Sequence, residues 1–247
     1  MLKSGSRSRE PRRPARQPGR LRSPTASPPI VARGGAFTQF GKGATTVVLP
    51  FLAWGYGNET WRVFRQTSFT YFRWQAFLWG FAGFIVFWAL FRKRLEFVRT
   101  MEHEFTHLLV GLLFLKRPVS FHASEKDGGL VQMGGMNFMI RLAPYFLPTV
   151  SLALMLLGAV VQRGYVWWLL VAFGAATAYH ICSDAMEIRS YQFDLRQSGL
   201  WFCWLFLPVA NLFCYGLIAA YVAAGDTGVW HFVVDGGTRI VKLFVAK

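Results

Sequence analysis

The amino-acid sequence predicts an all-α integral membrane protein: a bundle of about five transmembrane helices, a short membrane-associated hairpin and a disordered basic N-terminal tail. Three observations predict it. Of 247 residues, 53% are hydrophobic and only 16% charged, against about a quarter charged in a soluble domain. The deficit is concentrated, because 74–91, 142–162, 164–183 and 197–225 contain no Asp, Glu, Lys or Arg. Apolar runs of about 18 residues or more match the hydrocarbon core, about 30 Å thick. Lastly, the net charge of +15 is gathered at one end, with nine Lys or Arg against Glu10 in the first 34 residues.

That tail, 1–36, also holds six of the eleven prolines. It buries too little apolar surface to fold and is expected to sit against anionic lipid headgroups. No folded reader of nucleic acid stands beside it, so no specific nucleic-acid partner is expected. Residues 37–73 are expected to be interfacial or re-entrant. Their apolar part is too short to span and contains Pro50, and "ETWRVFRQTSFTYFRWQ" mixes Arg62, Arg65 and Arg73 with aromatics, as a headgroup-layer helix does.

Residues 74–225 form the predicted core. The first span, 74–91, stops at Arg92, Lys93 and Arg94, and the second, about 95–115, stops at Lys116 and Arg117. The Gly-Gly pairs of "PVSFHASEKDGGLVQMGGMNF" then predict a hairpin. The third span, about 139–161, has Pro144 and Pro148 in its first turns, so a kink or late start is expected there. The fourth runs from about 165 to 182 and the fifth, after a polar connector, from about 200 to 223. Residues 226–247 read as interfacial. Cys182, Cys203 and Cys214 form no C-x-x-C pair and read as buried reduced thiols. Basic residues 92–94, Arg99, Arg163 and those of the C-terminus share one side, which favours that side as cytoplasmic, whereas the basic tail falls opposite unless residues 44–56 cross, so the sequence leaves the orientation open. The multi-pass topology implies an integral membrane location.

The second span carries the chemistry. Within "RTMEHEFTHLLVGLLFL", residues 103–107 read His-Glu-Phe-Thr-His. Positions i and i+4 of a helix share a face, so both imidazoles reach one metal ion. Zinc accepts neutral imidazole and keeps one position open in catalytic sites. Glu104 then lies beside the ion, placed to take a proton from the attacking water and pass it to the leaving amine. This is the H-E-x-x-H pattern of metalloproteases. Two other readings use the same letters. The histidines could be polar residues at the wet membrane edge, or ligands of a metal in a non-catalytic sensor or transporter; Glu104 has no task in either.

The motif, the Gly-rich hairpin and the Pro-containing span after it resemble the site-2-type intramembrane zinc metalloproteases. "EHEFTHLLVGLLF", "GGMNFMIRLAPYFLP" and "QFDLRQSG" are similar to an uncharacterised bacterial branch of that superfamily, over about residues 97–220. The resemblance implies Zn2+ on His103 and His107, Glu104 as general base, cleavage of a membrane protein or peptide at or within the lipid bilayer, and a bacterial inner-membrane location. It sets Ala143–Pro144 where the family has Gly-Pro. The family's third ligand is an Asp in an Asn-x-x-Pro…Asp-Gly string, which is absent here. Asp194, in the branch-like string and at the family's usual separation, is the expected third ligand, with His180 and Asp235 as rivals. Asp184 and Glu187 read as plain connector charge, and His122 and His231 as solvated residues. Up-and-down counting puts Asp194 on the wrong side of the bilayer and Asp235 on the right one. Asp194 therefore requires a connector folded into the bundle or a broken span. The hairpin's open edges are expected to hold substrate as an added strand, with Gly134, Gly135 and Asn137 as substrate-binding residues.

Overall fold

The computed structural model describes residues 36–124, 128–188 and 192–245; the Arg/Pro-rich tail lies outside them. Among the described residues the chain is helical apart from one hairpin. Its elements are α1 (Ala36–Gln66), α2 (Phe72–Phe91), α3 (Glu96–Leu113), β1 (Pro118–Ser124), β2 (Gly128–Met133), α4 (Phe138–Leu142), α5 (Thr149–Gly158), α6 (Val166–Glu187), α7 (Phe193–Ser198) and α8 (Leu200–Val245).

Three stretches are long and apolar enough to cross a membrane: α2, the 163–187 stretch that contains α6, and α8. A fourth arises if α4 with its 3-10 extension, Ala143–Tyr145, and α5 count as one broken span bent by 81°. The first piece ends at Tyr145, and Pro148 stands as the N-cap of α5 across the break, in keeping with proline's effect on helix continuity. The expected second span, α3, falls outside this set because Glu96, Arg99, Glu102 and Glu104 interrupt it. It is amphipathic instead: Thr106, His107, Val110 and Gly111 are buried, while Phe105, Leu112 and Leu113 are exposed. By contrast α2 exposes Trp79, Val86 and Leu90. An apolar face that broad suits lipid better than water.

Two helix crossings organise the bundle. Where α2 meets α6, a Cβ on Gly80 would lie 1.8 Å from the Val171 carbonyl oxygen, and one on Gly174 would lie 2.0 Å from that of Phe77. Only glycine permits this backbone approach, the small-residue packing common between membrane helices. Phe77, Phe173, Ile218, Tyr221 and Phe232 continue the core outward from the crossing. The second crossing belongs to α1 and α8. Helix α8 breaks at Ala224 and Gly225, the latter at φ 65°, which favours glycine. The arms 200–223 and 226–245 then approach each other, with the rings of Phe213 and Phe232 5.9 Å apart. Tyr56 of α1 packs on both rings, at 4.7 and 5.4 Å.

Two stretches differ in form from the sequence reading. The short apolar run at 44–56 is part of a 31-residue helix that accommodates Pro50. Residues 226–245 are a helix returning along α1, tied by Phe51–Phe244 ring contact at 5.1 Å and an Arg62–Asp235 ion pair at 3.3 Å. Contacts made far along the chain outweigh local propensity in both. The cysteines are free thiols, Cys203 and Cys214 buried and Cys182 half-buried.

The hairpin is antiparallel, pairing Phe121 with Val131 and Ser124 with Gly128. It leans on α3: a Cβ on Gly111 would strike the Met133 side chain at 2.3 Å. A second core of Val110, Ile140, Leu142, Tyr145, Leu195 and Phe206 joins α3, α4, α7 and α8 on this side.

Gly174→Ala should destabilise the bundle by at least about 1–3 kcal/mol, the cost of overpacking, read as a lower unfolding temperature in detergent. Gly83→Ala, where a Cβ meets nothing within 4 Å, should leave that temperature unchanged or raise it.

Candidate metal centre

Helix α3 presents His103 and His107 one turn apart, their ring centroids separated by 4.9 Å. Asp194 arrives from the first turn of α7. Its Oδ2 lies 3.3 Å from His107 Nε2 and 3.9 Å from His103 Nε2. One ligand atom from each residue falls within 4.8 Å of the other two, so the three could hold one metal ion. Two imidazoles and one carboxylate are a donor set that a catalytic zinc accepts, with a coordination position to spare.

The imidazoles are aimed by what their other nitrogens touch. His107 Nδ1 donates to the Ile140 carbonyl at 2.8 Å. His103 Nδ1 lies 2.6 Å from Glu187 Oε2. Hydrogen bonds of this kind fix the tautomer and leave both Nε2 lone pairs for a metal. Each anchor is itself held. Ile140 donates its N–H to the Asn137 side chain at 2.9 Å, which caps α4. Glu187 is met by Arg99 Nε at 3.2 Å and Ser183 Oγ at 3.4 Å.

Asp194 is kept ready as a carboxylate. Burial opposes its charge, but the two imidazoles outweigh burial and hold its carboxyl well below the usual carboxylate range. Its helix α7 is anchored by Leu195, 3% exposed, and by Lys42 Nζ donating to the Ser198 carbonyl at 2.8 Å. Glu104 feels the charges of His103, His107 and Asp194, and its carboxylate is hydrogen-bonded by the Val131 backbone of β2. It therefore stands beside the three-residue group rather than in it. Glu102, one residue before His103, accepts from the hydroxyls of Thr106 and Thr149, and so ties α3 to the start of α5.

The rivals lie elsewhere. His180 sits two turns before Glu187 on α6, about 10 Å along the axis, with Nε2 3.4 Å from Asp184 Oδ2. Asp235 is 3.3 Å from Arg62 Nη2 and 4.0 Å from His231 Nδ1 at the far end of α1. Glu187, read from sequence as connector charge, is instead the partner of His103. The two are 84 residues apart; a signal was present, since Glu187 continues the one-face spacing of His180 and Asp184. His231 is 59% exposed. The side chain of His122 lies outside the described residues. Gly134 donates to the Arg117 carbonyl at 2.8 Å and closes the hairpin base, and Gly135 follows at φ 138°.

No protein-family profile matches this chain, and neither does any curated protein or solved structure.

Purified protein should carry a stoichiometric divalent metal, measured by inductively coupled plasma mass spectrometry. Alanine at His103, His107 or Asp194 should remove it, whereas His180→Ala and Asp235→Asn should retain it. Glu187→Gln should weaken metal affinity about 10–100-fold, as expected for loss of a residue that orients a ligand.

Proposed function

We propose that the chain is a zinc-dependent endopeptidase of the site-2 protease type that hydrolyses a peptide bond of a membrane protein or peptide at or within the bilayer. The observation that carries this reading is the convergence of His103, His107 and Asp194 within 4.8 Å, with Glu104 alongside. Three apolar helices long enough to span, and a fourth as a bent pair, support a membrane-embedded site. The resemblance of the motif segments to a bacterial branch points to the inner membrane.

A zinc ion held by these residues would polarise the scissile carbonyl and acidify the attacking water. His103 and His107 are oriented because Glu187 and Ile140 accept hydrogen bonds from their Nδ1 atoms. Glu104 accepts the proton of the water and returns it to the leaving amine. The β2 backbone bonds the Glu104 carboxylate through Val131, so a substrate strand laid along the hairpin passes beside the base. That arrangement suits substrate entry in extended form, the state a helical substrate reaches once its own hydrogen bonds are broken. Gly134, Gly135 and Asn137 continue the same rim.

A metal-holding role without hydrolysis would use the same three ligands but leave Glu104 without a task. Its place between the histidines and β2 favours hydrolysis.

Glu104→Gln should retain the metal and lower cleavage of a transmembrane test peptide by about 10²–10⁴-fold. Cleavage that survives this change, with metal still bound, would sink the peptidase reading and leave the metal site standing. Replacing residues 119–132 by a short linker should abolish cleavage while bound metal persists.

A further inference from the structure

Arg141 of α4 stands beside the metal centre without a counter-ion. It directly follows Ile140, whose carbonyl anchors His107, and its own N–H donates to the Asn137 carbonyl at 3.2 Å. The side chain is half-buried. Its Nε is buried with no hydrogen-bond partner. Among the described residues its guanidinium makes no ion pair. Arginines drawn out of water are usually paired, because uncompensated charge is costly there.

Lys42 of α1 brings a second positive charge to the same place. Its Nζ donates to the Ser198 carbonyl of α7 at 2.8 Å and lies 5.8 Å from the centroid of the Phe202 ring. Helix α4 packs on α7 as well, and Lys42 and Arg141 stand within electrostatic reach of each other. Two like charges held in a half-buried place repel, and an anion relieves them.

Asp194 is the one carboxylate among the described residues within electrostatic reach of Arg141. Its Oδ2 is turned to the imidazoles, 3.3 Å from His107 Nε2 and 3.9 Å from His103 Nε2. A metal ion held there would engage that carboxylate further. Glu187 is met by Arg99, and Glu104 by the Val131 backbone. On this side of the centre two cations therefore share one carboxylate that is already engaged. The surplus suits a monoanion, and the planar fork of a guanidinium matches a carboxylate.

The cations also lie on the path assigned to the substrate. A strand laid along β2 passes Glu104 and runs on to the rim at Gly134, Gly135 and Asn137. Asn137 and Arg141 are four residues apart and share a helix face, so Arg141 stands one turn beyond that rim. We propose that Arg141, assisted by Lys42, binds a carboxylate of the substrate peptide, either an Asp or Glu side chain near the scissile bond or the peptide's own C-terminus. The inference rests on the peptidase reading and adds to it a preference for acidic substrates.

The test reads binding as well as cleavage. Full-length Glu104→Gln protein, zinc-loaded in a neutral detergent, is titrated with labelled extended apolar peptides and followed by fluorescence anisotropy. The parent peptide is uncharged and amidated at its C-terminus. One series carries Asp at each position in turn, and a further peptide is the parent with a free C-terminal carboxylate. At least one acidic form should bind about tenfold more tightly than the parent, a difference of about 1.4 kcal/mol, and the form that does so identifies the source of the carboxylate. Arg141→Ala should abolish the preference, and Arg141→Lys, which keeps the charge without the fork, should retain part of it. Lys42→Gln, which keeps a donor for Ser198, should reduce it. Zinc content and affinity for the parent peptide should stay unchanged in both Arg141 variants and serve as the folding control. Equal affinity for all the peptides, or a preference that persists in Arg141→Ala with zinc bound, overturns the site. Displacement of the acidic peptide by phosphatidylglycerol overturns the peptide source and assigns the cations to a lipid headgroup. Acidic peptides that bind with this preference but are never cut by the unmodified protein remove the peptidase reading and keep the carboxylate site.

Discussion

The candidate site depends on the hydrogen bonds that hold the far side of each imidazole. A helix can set two histidines one turn apart, but it cannot decide which ring nitrogen faces the metal. That decision is made by Ile140, through its carbonyl, and by Glu187, through its carboxylate. One anchor sits on α4 and the other at the end of α6, so α3 is held from two sides. If either element slid by a turn, about 5.4 Å, its hydrogen bond would be lost and the Nε2 atoms would no longer converge on Asp194. Much of the nearby architecture keeps those two elements in place. Asn137 caps α4. Arg99 and Ser183 steady Glu187. The glycine crossing of α2 and α6 fixes the position of α6.

Bringing Asp194 to the two histidines requires a departure from simple up-and-down packing. Counting spans places Asp194 opposite His103. In the structure the chain between α4 and α5 bends by 81°, and the connector after α6 folds inward as α7. The bend places Pro144 and Tyr145 against α3, with the Tyr145 ring 5.2 Å from that of His103. Irregular backbone at this depth must satisfy its polar groups within the protein. The inner end of the bend does so, with Asn211 Nδ2 donating to the Tyr145 carbonyl at 3.0 Å. Helix α7 does the same through Lys42 and Cys203, which donate to the Ser198 and Leu195 carbonyls.

The sequence disclosed those parts whose signal is local. Charge-free runs located α2, α6 and the first arm of α8. Gly-Gly pairs located the hairpin, Pro144 and Pro148 the bend, and the five letters 103–107 the two histidines and Glu104. Asp194 came from the resemblance, through its branch-like string and its separation from His107. What remained hidden depends on distant partners. Glu187 looked like connector charge because nothing near it in the chain names His103. Residues 44–56 looked too short and too broken to belong to a long helix because the stabilising contacts of α1 lie some 180 residues away, as with Glu59 and Arg239. The charges of α3 point the other way: an apolar tail made it look like a span, while its first half is built for a polar interior.

Those interior charges suggest why a divalent cation suits this place. Near the centre stand four carboxylates, Glu102, Glu104, Glu187 and Asp194, and two guanidiniums, Arg99 and Arg141, the second within electrostatic reach of Asp194. His180 and Asp184, behind them, form a neutral pair when they share one proton. Carboxylates outnumber guanidiniums here, and uncompensated charge in a low-dielectric interior costs far more than at a surface. A cation on His103, His107 and Asp194 would offset that acidic surplus at the point where the three side chains converge. The same balance favours a carboxylate beside the ion that can take up a proton during reaction and release it afterwards, which is the task assigned to Glu104.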